Sequence, residues 1–297
     1  MERSELREYT RHRCSLLDGD IYDHIDEIRD RLLNKERVLV VCNTVRQAQG
    51  VYDALREIQP RSGLLHSRFT LGDRERIEQE VDSLDLLVGT QAIEVSLDID
   101  YDVCYTEPAP MDALIQRFGR VNRKREKGIS AVYVFTRGSE QDTYIYDEHL
   151  VARTLDELAG MDLLHEWLVQ EATDRVYRDG FGGDEKIFSE TRRVFTEVVN
   201  AIVPFSNADR SESDFYRLFN SIEAVPEIFR TEYFDCSQEG DIYGAMQYTL
   251  PLSRGQYHRL KSEGRISASE GMLFVDAVYD RDLGLLVDRR DPNAFIE

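Results

Sequence analysis

The chain has 297 residues, a formal net charge of −20 at pH 7 and 41% hydrophobic residues. This length is sufficient for two domains of ordinary size, and this hydrophobic content predicts packed cores and excludes wholesale disorder. No apolar run approaches the roughly 20 residues of a membrane-spanning helix, and residues 1–20 contain no secretory apolar stretch. We therefore predict a cytoplasmic protein with no membrane contact.

The cysteines are scattered along the chain without C-x-x-C spacing, at Cys14, Cys42, Cys104 and Cys236. This pattern predicts neither a zinc site nor a disulfide framework, and it is typical of a reducing compartment. We predict no bound structural metal.

The basic residues are unusual in kind, because only five of the 37 are lysine. Many carboxylates with very few lysines indicate a halophilic protein, whose self-repulsion is screened by a concentrated salt solution. A GC-rich genome that favours arginine codons is the alternative explanation.

Alternating apolar patterns in the first half of the chain predict a parallel sheet. Residues 20–34 form an amphipathic helical pattern, and further helical patterns cover 44–58, 70–81 and the stretch from Asp112. Short apolar runs between these segments predict five buried strands, at 37–43, 62–67, 84–90, 101–107 and 130–136. Strands that alternate with helices predict an α/β fold with helices on both faces of the sheet.

The pattern changes after about residue 140. Residues 140–178 and 184–203 are mainly helical in pattern, and the polar stretch 206–214 predicts a loop or linker. Short strand-like runs at 244–253, 271–280 and 283–288 predict a small mixed α+β domain. The predicted organisation is a helical lead-in at 1–35, an α/β domain at 36–139, a helical region at 140–204 and a C-terminal domain at 205–297.

Small polar residues follow the first three predicted strands: Asn43 and Thr44, then His66, Ser67 and Arg68, then Thr90. Taken singly, each is most often a helix cap. The carboxyl ends of parallel strands share one edge of a sheet, however, where polar groups and exposed helix N–H groups bind phosphates. Together these loops therefore predict a groove that follows a nucleic-acid backbone.

The segment DALIQRFGRVNR (112–123) forms a local basic island. Residues 38–136 contain 12 basic and 15 acidic residues, a net of −3, so the rest of the chain carries −17. Arg120 and Arg123 are three residues apart and point the same way on a helix or tight turn. Guanidinium groups suit phosphoryl oxygens, and Gly119 permits close backbone approach. Asp98 could accept hydrogen bonds from ribose hydroxyls, although its segment taken alone is better explained as a solvated acidic loop. A surface patch that grips DNA is the competing interpretation.

Two motif segments carry a family resemblance. QRFGRVNR (116–123) resembles motif VI of superfamily 2 helicases, Q-R-x-G-R-x-x-R, and TQAIEVSLDID (90–100) resembles motif V. Over residues 35–136 the sequence is similar to the helicase–nuclease of type I CRISPR systems, and YDRDLGLLVD (279–288) is similar to its accessory C-terminal domain.

The resemblance implies a RecA-like second helicase lobe and assigns roles by position. Gln116, Arg120 and Arg123 match positions that contact the ATP γ-phosphate, and Asp98 matches the ribose contact. Thr90 matches a contact to the nucleic-acid backbone. The remaining strand-contacting positions are matched by Asn43, Thr44, His66, Ser67 and Arg68. Arg117 matches the motif either as a ligand or as an internal ion-pair partner.

The departures from the family pattern limit what the chain does alone. It has no Gly-Lys dipeptide for a phosphate loop, no D-E-x-H box, and no His-Asp pair for a nuclease metal site. We expect the second motor lobe of a single-stranded DNA translocase, a fragment or a separate subunit, inactive as ATPase or nuclease by itself. Its expected partners are single-stranded DNA, a first helicase lobe that completes the site for ATP with Mg²⁺, a nuclease domain and the crRNA-guided surveillance complex.

Two other functions remain open from the sequence. The chain could be a non-catalytic module that docks the surveillance complex or regulates the intact helicase. It could also be a lobe of another superfamily 2 RNA helicase, although the SLDID and APMDALIQR stretches disfavour this.

Overall fold

A computed structural model describes residues 10–94, 97–139, 145–182, 185–201 and 221–290. The chain divides into two compact units. The first comprises residues 1–179 and 280–284, and the second comprises residues 180–279 and 285–297. Each unit is described by itself.

The first unit is built around one large sheet with helices packed against it. Its strands are β1 (Thr10–Leu17), β2 (Val38–Val41), β3 (Ser62–Leu65), β4 (Leu86–Gly89), β5 (Val103–Thr106), β6 (Ser130–Phe135) and β7 (Leu163–His165). Its helices are α1 (Ile25–Leu33), α2 (Val45–Leu55), α3 (Leu71–Glu80), α4 (Met111–Phe118), α5 (Glu148–Ala159) and α6 (Glu166–Val176). The α/β class and the five strands predicted between residues 37 and 136 are confirmed.

The seven strands lie in the order β3-β4-β2-β5-β6-β1-β7. The pairings from β3 to β1 are parallel, and only β7 runs antiparallel to its neighbour β1. All four residues of β2, of β4 and of β5 are buried, as expected for central strands that are covered on both faces.

The helical lead-in predicted for residues 1–35 is wrong over residues 10–17. Residues Thr10–Leu17 form β1, which pairs with β6 in parallel register from His12↔Ser130 to Leu17↔Phe135. The helical pattern begins only at Ile21, after a capping box formed by Asp20 and Asp23. β1 was missed because its inward positions include a histidine and a cysteine between arginines, so the apolar alternation is weak.

Threonine side chains fix the start of two helices at the predicted places. Thr44 accepts a hydrogen bond from the Gln47 N–H at the start of α2, and Thr70 accepts one from the Asp73 N–H at the start of α3. Such caps satisfy backbone donors that have no partner inside the helix.

Residues 145–179 group with the first unit. Asp147 caps α5 by accepting from the His149 and Leu150 N–H groups. The short strand β7 interrupts the helical pattern that was predicted across residues 140–178, because it pairs with β1.

The second unit contains α7 (Glu185–Ala201), β8 (Ser221–Pro226), α8 (Arg230–Gln238), α9 (Ile242–Met246), β9 (Leu250–Ser253), α10 (Arg254–Ser262), β10 (Ile266–Ser269) and β11 (Met272–Val275). β12 (Val278–Asp280) and β13 (Gly284–Leu286) follow as a two-stranded sheet, of which residues 280–284 group with the first unit. The other strands form a sheet in the order β10-β11-β8-β9.

The strand-like runs predicted after residue 244 correspond to β9, β11, β12 and β13, apart from the start of the first run, which is helical in α9. The loop predicted at 206–214 lies outside the described residues. Among the described residues, no helix is both long enough and apolar enough to cross a membrane.

Candidate functional site

The carboxyl ends of β3, β4 and β2 lie side by side, which brings the predicted strand-contacting loops together. Gly89 at the end of β4 is in register with Leu65 of β3 and with Val41 of β2. Thr90 therefore lies between the loop that begins at His66 and the loop that begins at Cys42. The Thr90 N–H donates to the Leu65 carbonyl at 3.1 Å.

The side chains of these loops differ in their access to solvent. Ser67 is exposed, and Thr44 and Arg68 are half-buried. Asn43, His66 and Thr90 are buried, with 2%, 0% and 4% of their surface exposed. A ligand at this edge therefore meets Ser67, Thr44 and Arg68 before it meets the other three.

His66 is held entirely by protein groups. Its Nδ1 accepts from the Arg68 N–H at 3.1 Å, its Nε2 donates to the Leu283 carbonyl at 3.1 Å, and its ring stacks on Phe69. Burial, together with the positive charge of Arg68, lowers the pKa of His66 to about 3. The imidazole is therefore neutral at physiological pH, and it shapes the loop instead of supplying charge to a phosphate.

The side-chain amide and the backbone N–H of Asn43 are all hydrogen-bonded to other protein groups. Its Nδ2 donates to the Pro108 carbonyl at 2.8 Å, and its Oδ1 accepts from Arg117 at 3.0 Å. Its N–H donates to Glu107 Oε2 at 2.6 Å. The carboxylate of Glu107 is fully buried and also accepts from the Ser139 N–H at 3.1 Å. Glu107 thus joins the loops that follow β2 and β6.

Arg117 is fully buried at the centre of this edge. Its guanidinium donates to Glu94 Oε1 at 2.8 Å, to Thr106 Oγ1 at 2.7 Å and to the hydroxyl of Tyr146 at 3.0 Å. Burial alone would lower the pKa of Arg117, but Tyr146 and Glu94 outweigh burial and raise it. Of the two roles considered from the sequence, the structure shows the internal ion-pair partner.

Arg120 lies just beyond α4 and is folded onto the segment that resembles motif V. Its two terminal nitrogens donate to the carbonyl oxygens of Glu94 and Leu97. Its Nε is buried and has no hydrogen-bond partner among the described residues. Burial and the nearby charge of Arg123 lower the pKa of Arg120, whereas Asp98 and Glu94 act in the opposite direction.

Arg123 and Asp98 form an exposed ion pair. Arg123 Nε lies 2.8 Å from Asp98 Oδ1, and their side chains are 43% and 89% exposed. The Arg123 N–H donates to Asp100 Oδ1 at 2.9 Å. The structure therefore brings Arg120, Arg123 and Asp98 into one cluster, which we call the arginine cluster.

Two further predicted residues flank this cluster. Gln116 is exposed on α4, and Gly119 follows the last helical residue, with its N–H donating to the Ile115 carbonyl at 2.9 Å. Arg120 and Arg123 therefore extend from the turn after the helix and not from the helix itself.

Sequence reasoning gave no role to several residues that build the site. Glu107, Glu94 and Tyr146 hold Asn43 and Arg117, while Lys127 binds Asp102 at 2.7 Å and Asp100 at 3.5 Å. Glu107 carried one usable signal, since a carboxylate directly after a buried strand needs donors. Nothing in the sequence indicated that Tyr146 reaches Arg117.

The mostly parallel seven-stranded sheet with helices packed against it gives the first unit the fold of a RecA-like helicase lobe. Residues 34–126 match the family model described as CRISPR-associated nuclease/helicase Cas3, C-terminal. The chain is a homologue of the C-terminal part of the Cas3 helicases, which confirms the resemblance drawn from the two motif segments.

One curated relative shows how far along the chain this similarity extends. A putative CRISPR-associated nuclease/helicase Cas3 of Methanocaldococcus jannaschii is 29% identical over 249 residues, which cover 76% of this chain and 33% of that protein. The chain thus spans about a third of the length of that relative.

Two solved structures share the fold. The structure of T. fusca Cas3-AMPPNP matches with a TM-score of 0.66 at 19% identity, covering 94% of this chain and 43% of that chain. A chain of the structure named "CRISPR RNA-guided surveillance complex, pre-nicking" matches with a TM-score of 0.61 at 19% identity, covering 94% and 45%.

Proposed function

We propose that the chain is the second motor lobe of an ATP-dependent single-stranded DNA translocase in type I CRISPR interference. The observation that carries the proposal is the arginine cluster, in which Arg120 is anchored to the motif V backbone and Arg123 remains half-exposed. The relation to Cas3 helicases and the fold shared with the Cas3-AMPPNP structure support it.

The arginine cluster has the chemistry for a nucleotide phosphate. Arg123 is close enough to lower the pKa of Arg120, so an added anion relieves their mutual repulsion. The pair between Arg123 and Asp98 is exposed, and such pairs contribute about 1 kcal/mol or less. Arg123 can therefore exchange Asp98 for a phosphoryl oxygen at small cost, leaving Asp98 to accept from ribose hydroxyls.

With ATP and Mg²⁺ bound, the guanidinium groups of Arg120 and Arg123 would stabilise the charge that develops on the γ-phosphoryl group during its transfer. Gln116, exposed on the same helix end, is assigned to the γ-phosphate side. The chain lacks a Gly-Lys dipeptide and a D-E-x-H box, so the proposal assigns the phosphate loop and the Mg²⁺ ligands to a first lobe.

The carboxyl edge of the sheet is assigned to the DNA backbone. Ser67, Thr44 and Arg68 offer accessible donors, and Thr90 lies between their loops. Asn43 and His66 are committed to protein groups, so they are assigned to holding these loops in place. Phosphate contacts of this kind position a strand without reading its sequence.

The complete enzyme requires further domains, namely a first helicase lobe and a nuclease domain. Its proposed site of action is the crRNA-guided surveillance complex, in line with the fold shared with a chain of the pre-nicking surveillance-complex structure. The purified chain alone should not hydrolyse ATP, and DNA-stimulated turnover that persists through repurification would contradict this.

The test uses an enzyme reconstituted from this chain and a first lobe. We expect Arg120→Ala and Arg123→Ala each to reduce ATP turnover by about 10³–10⁵ while leaving the fold intact, because each guanidinium meets charge in the transition state. Arg123→Lys should not restore turnover, since a point charge lacks the bidentate geometry. Arg125→Ala, two residues further along the same turn, is the matched control.

The competing interpretation of the arginines is a patch that grips DNA. In that case the alanine variants would weaken DNA affinity, and saturating DNA would restore turnover. Rates near wild type at saturating ATP and DNA would overturn the proposal.

A non-catalytic docking module is the second candidate, supported by the fold shared with a chain of the surveillance-complex structure. It predicts that the chain binds a crRNA-guided surveillance complex without a first lobe, and that Arg120→Ala and Arg123→Ala bind equally well.

A further inference from the structure

The turn that carries Arg123 is held by residues that do not touch its side chain. Residues 119–128 leave α4 and meet the segment before β5, where the Tyr101 N–H donates to the Arg120 carbonyl at 3.0 Å. The Asn122 N–H returns a bond to the Tyr101 carbonyl at 3.1 Å. These two bonds fix the backbone on one side of the turn only.

The other side is fixed by His12, a residue of β1. His12 is 6% exposed, and its Nε2 lies 2.8 Å from the carbonyl oxygen of Val121, the residue directly after Arg120. A carbonyl can only accept, so Nε2 carries the hydrogen. Burial lowers the pKa of His12 to about 4, which keeps the ring neutral.

Asn122 closes the turn from within. It is fully buried and has a φ of 48°, a left-handed conformation that asparagine adopts more readily than most residues. Its Nδ2 donates to the Gly128 carbonyl at 2.6 Å, and its Oδ1 accepts from the Lys127 N–H at 3.2 Å. The direction in which the chain enters Arg123 is therefore set by Asn122.

We propose that His12 and Asn122 are positioning residues that aim the guanidinium groups of Arg120 and Arg123 at the nucleotide phosphate. This inference rests on the proposed function of the arginine cluster. It also gives β1 a role in catalysis, since a strand more than 100 residues earlier in the sequence holds the backbone between the two arginines.

The expected effect is on the chemical step. Misplacement of a catalytic group by about 1 Å can cost about 10²-fold in rate. In the reconstituted enzyme, His12→Phe should lower kcat by about 10- to 100-fold with little change in KM for ATP or in DNA affinity. His12→Gln should keep kcat within a few-fold of wild type, because its amide can donate to Val121.

The matched control is His24→Phe. His24 Nε2 also lies 2.8 Å from a backbone carbonyl, that of Asp18, and its ring packs against Phe135, away from the arginine turn. A merely structural role would leave kcat per folded molecule constant in both variants, whatever thermal stability each of them loses.

Asn122→Gly is a second variant for the same kcat measurement, and it tests the inference even if His12→Phe does not fold. Glycine adopts the positive φ freely but makes neither side-chain bond, so kcat should again fall without a matching change in KM. If kcat stays at the wild-type value in folded Asn122→Gly or in folded His12→Phe, the inference is overturned.

Arg123→Ala is assayed in parallel with these variants. Turnover that is retained in Arg123→Ala contradicts the proposed function itself. Turnover that is lost in Arg123→Ala but kept in His12→Phe contradicts only the positioning inference.

Discussion

Arg117 has the same guanidinium group as Arg120 and Arg123, but its surroundings give it a different role. All three lie within the motif VI segment, and residue type alone could not separate them. Arg117 is fully buried against Glu94 and Asn43, whereas Arg123 is 43% exposed. The sequence therefore predicted which arginines gather, but not which of them remain accessible to a ligand, because that depends on the depth of each position in the fold.

Removal of Arg117 should destabilise the first unit strongly. Arg117→Ala leaves Glu94, Asn43 and Thr106 without their buried partner, and breaking a buried ion pair costs about 3–5 kcal/mol. Urea unfolding measures this change. Arg61→Ala is the control, because its two-pronged contact with Asp85 is exposed on the arginine side and should be worth about 1 kcal/mol or less. Equal losses in the two variants would contradict this assignment.

His66 should make the stability of the first unit depend on pH. The pKa of His66 is about 3 in the folded protein and about 6.5 in an unfolded chain. Below pH 6.5 the unfolded state therefore binds a proton that the folded state does not bind. Stability from this group is complete above pH 6.5 and decreases as the pH falls, by about 2 kcal/mol between pH 7.5 and 5. Denaturant unfolding at both values should show a smaller decrease for His66→Gln, and an unchanged decrease would disprove the argument.

At the scale of elements, the sequence predicted the strands from β2 to β6 and missed β1 and β7 at one end of the sheet. β2, β4 and β5 are continuous apolar runs, which leave little choice of structure. β1 carries arginines and a histidine among its first residues, and β7 is only three residues long, so both are strands because each has a neighbour to pair with. Pairing partners are set by tertiary structure, so local pattern could not reveal them. The same limit hid the contact of His12 with Val121.

The junction of β3 and β4 should tolerate no side chain at Gly89. A Cβ there would lie 2.6 Å from the Leu65 carbonyl oxygen and 2.5 Å from Ile93 Cδ1. Gly89→Ala should therefore force the strand ends apart and cost about 1–3 kcal/mol. Gly160→Ala is the matched control, since its Cβ would lie 3.8 Å from the Glu157 carbonyl oxygen and its φ is −90°. Thermal unfolding should rank Gly89→Ala below wild type and Gly160→Ala at or slightly above it.

For the whole molecule, charge is distributed unevenly, and the candidate site depends on that distribution. The near-neutral segment 38–136 contains the sheet edge and the arginine cluster, while the remaining residues carry most of the negative charge. Under the proposed function, an acidic surface elsewhere would repel nucleic acid and would direct a DNA strand and a nucleotide to this less acidic segment. The composition predicted a local cluster of basic residues in this segment, and the structure adds that Asp98, Asp100 and Asp102 bind part of its positive charge.

The same imbalance should make stability depend on salt. If the 57 acidic residues reflect a halophilic protein, added KCl screens their repulsion, since the Debye length falls from about 10 Å at 0.1 M to about 3 Å at 1 M. The melting temperature should then rise steeply with KCl toward molar concentrations.

A triple variant makes the test specific to charge. Glu232, Asp235 and Glu239 are exposed acidic residues on and just beyond α8, spaced three or four residues apart, so they repel one another. Glu232→Gln, Asp235→Asn and Glu239→Gln together remove three negative charges and should raise the melting temperature at low salt while flattening its rise with KCl. An excluded osmolyte such as sucrose, which stabilises folded proteins without screening charge, should act equally on the wild type and the variant. A wild-type protein that is folded and equally stable in dilute buffer would instead favour arginine codon bias as the origin of the composition.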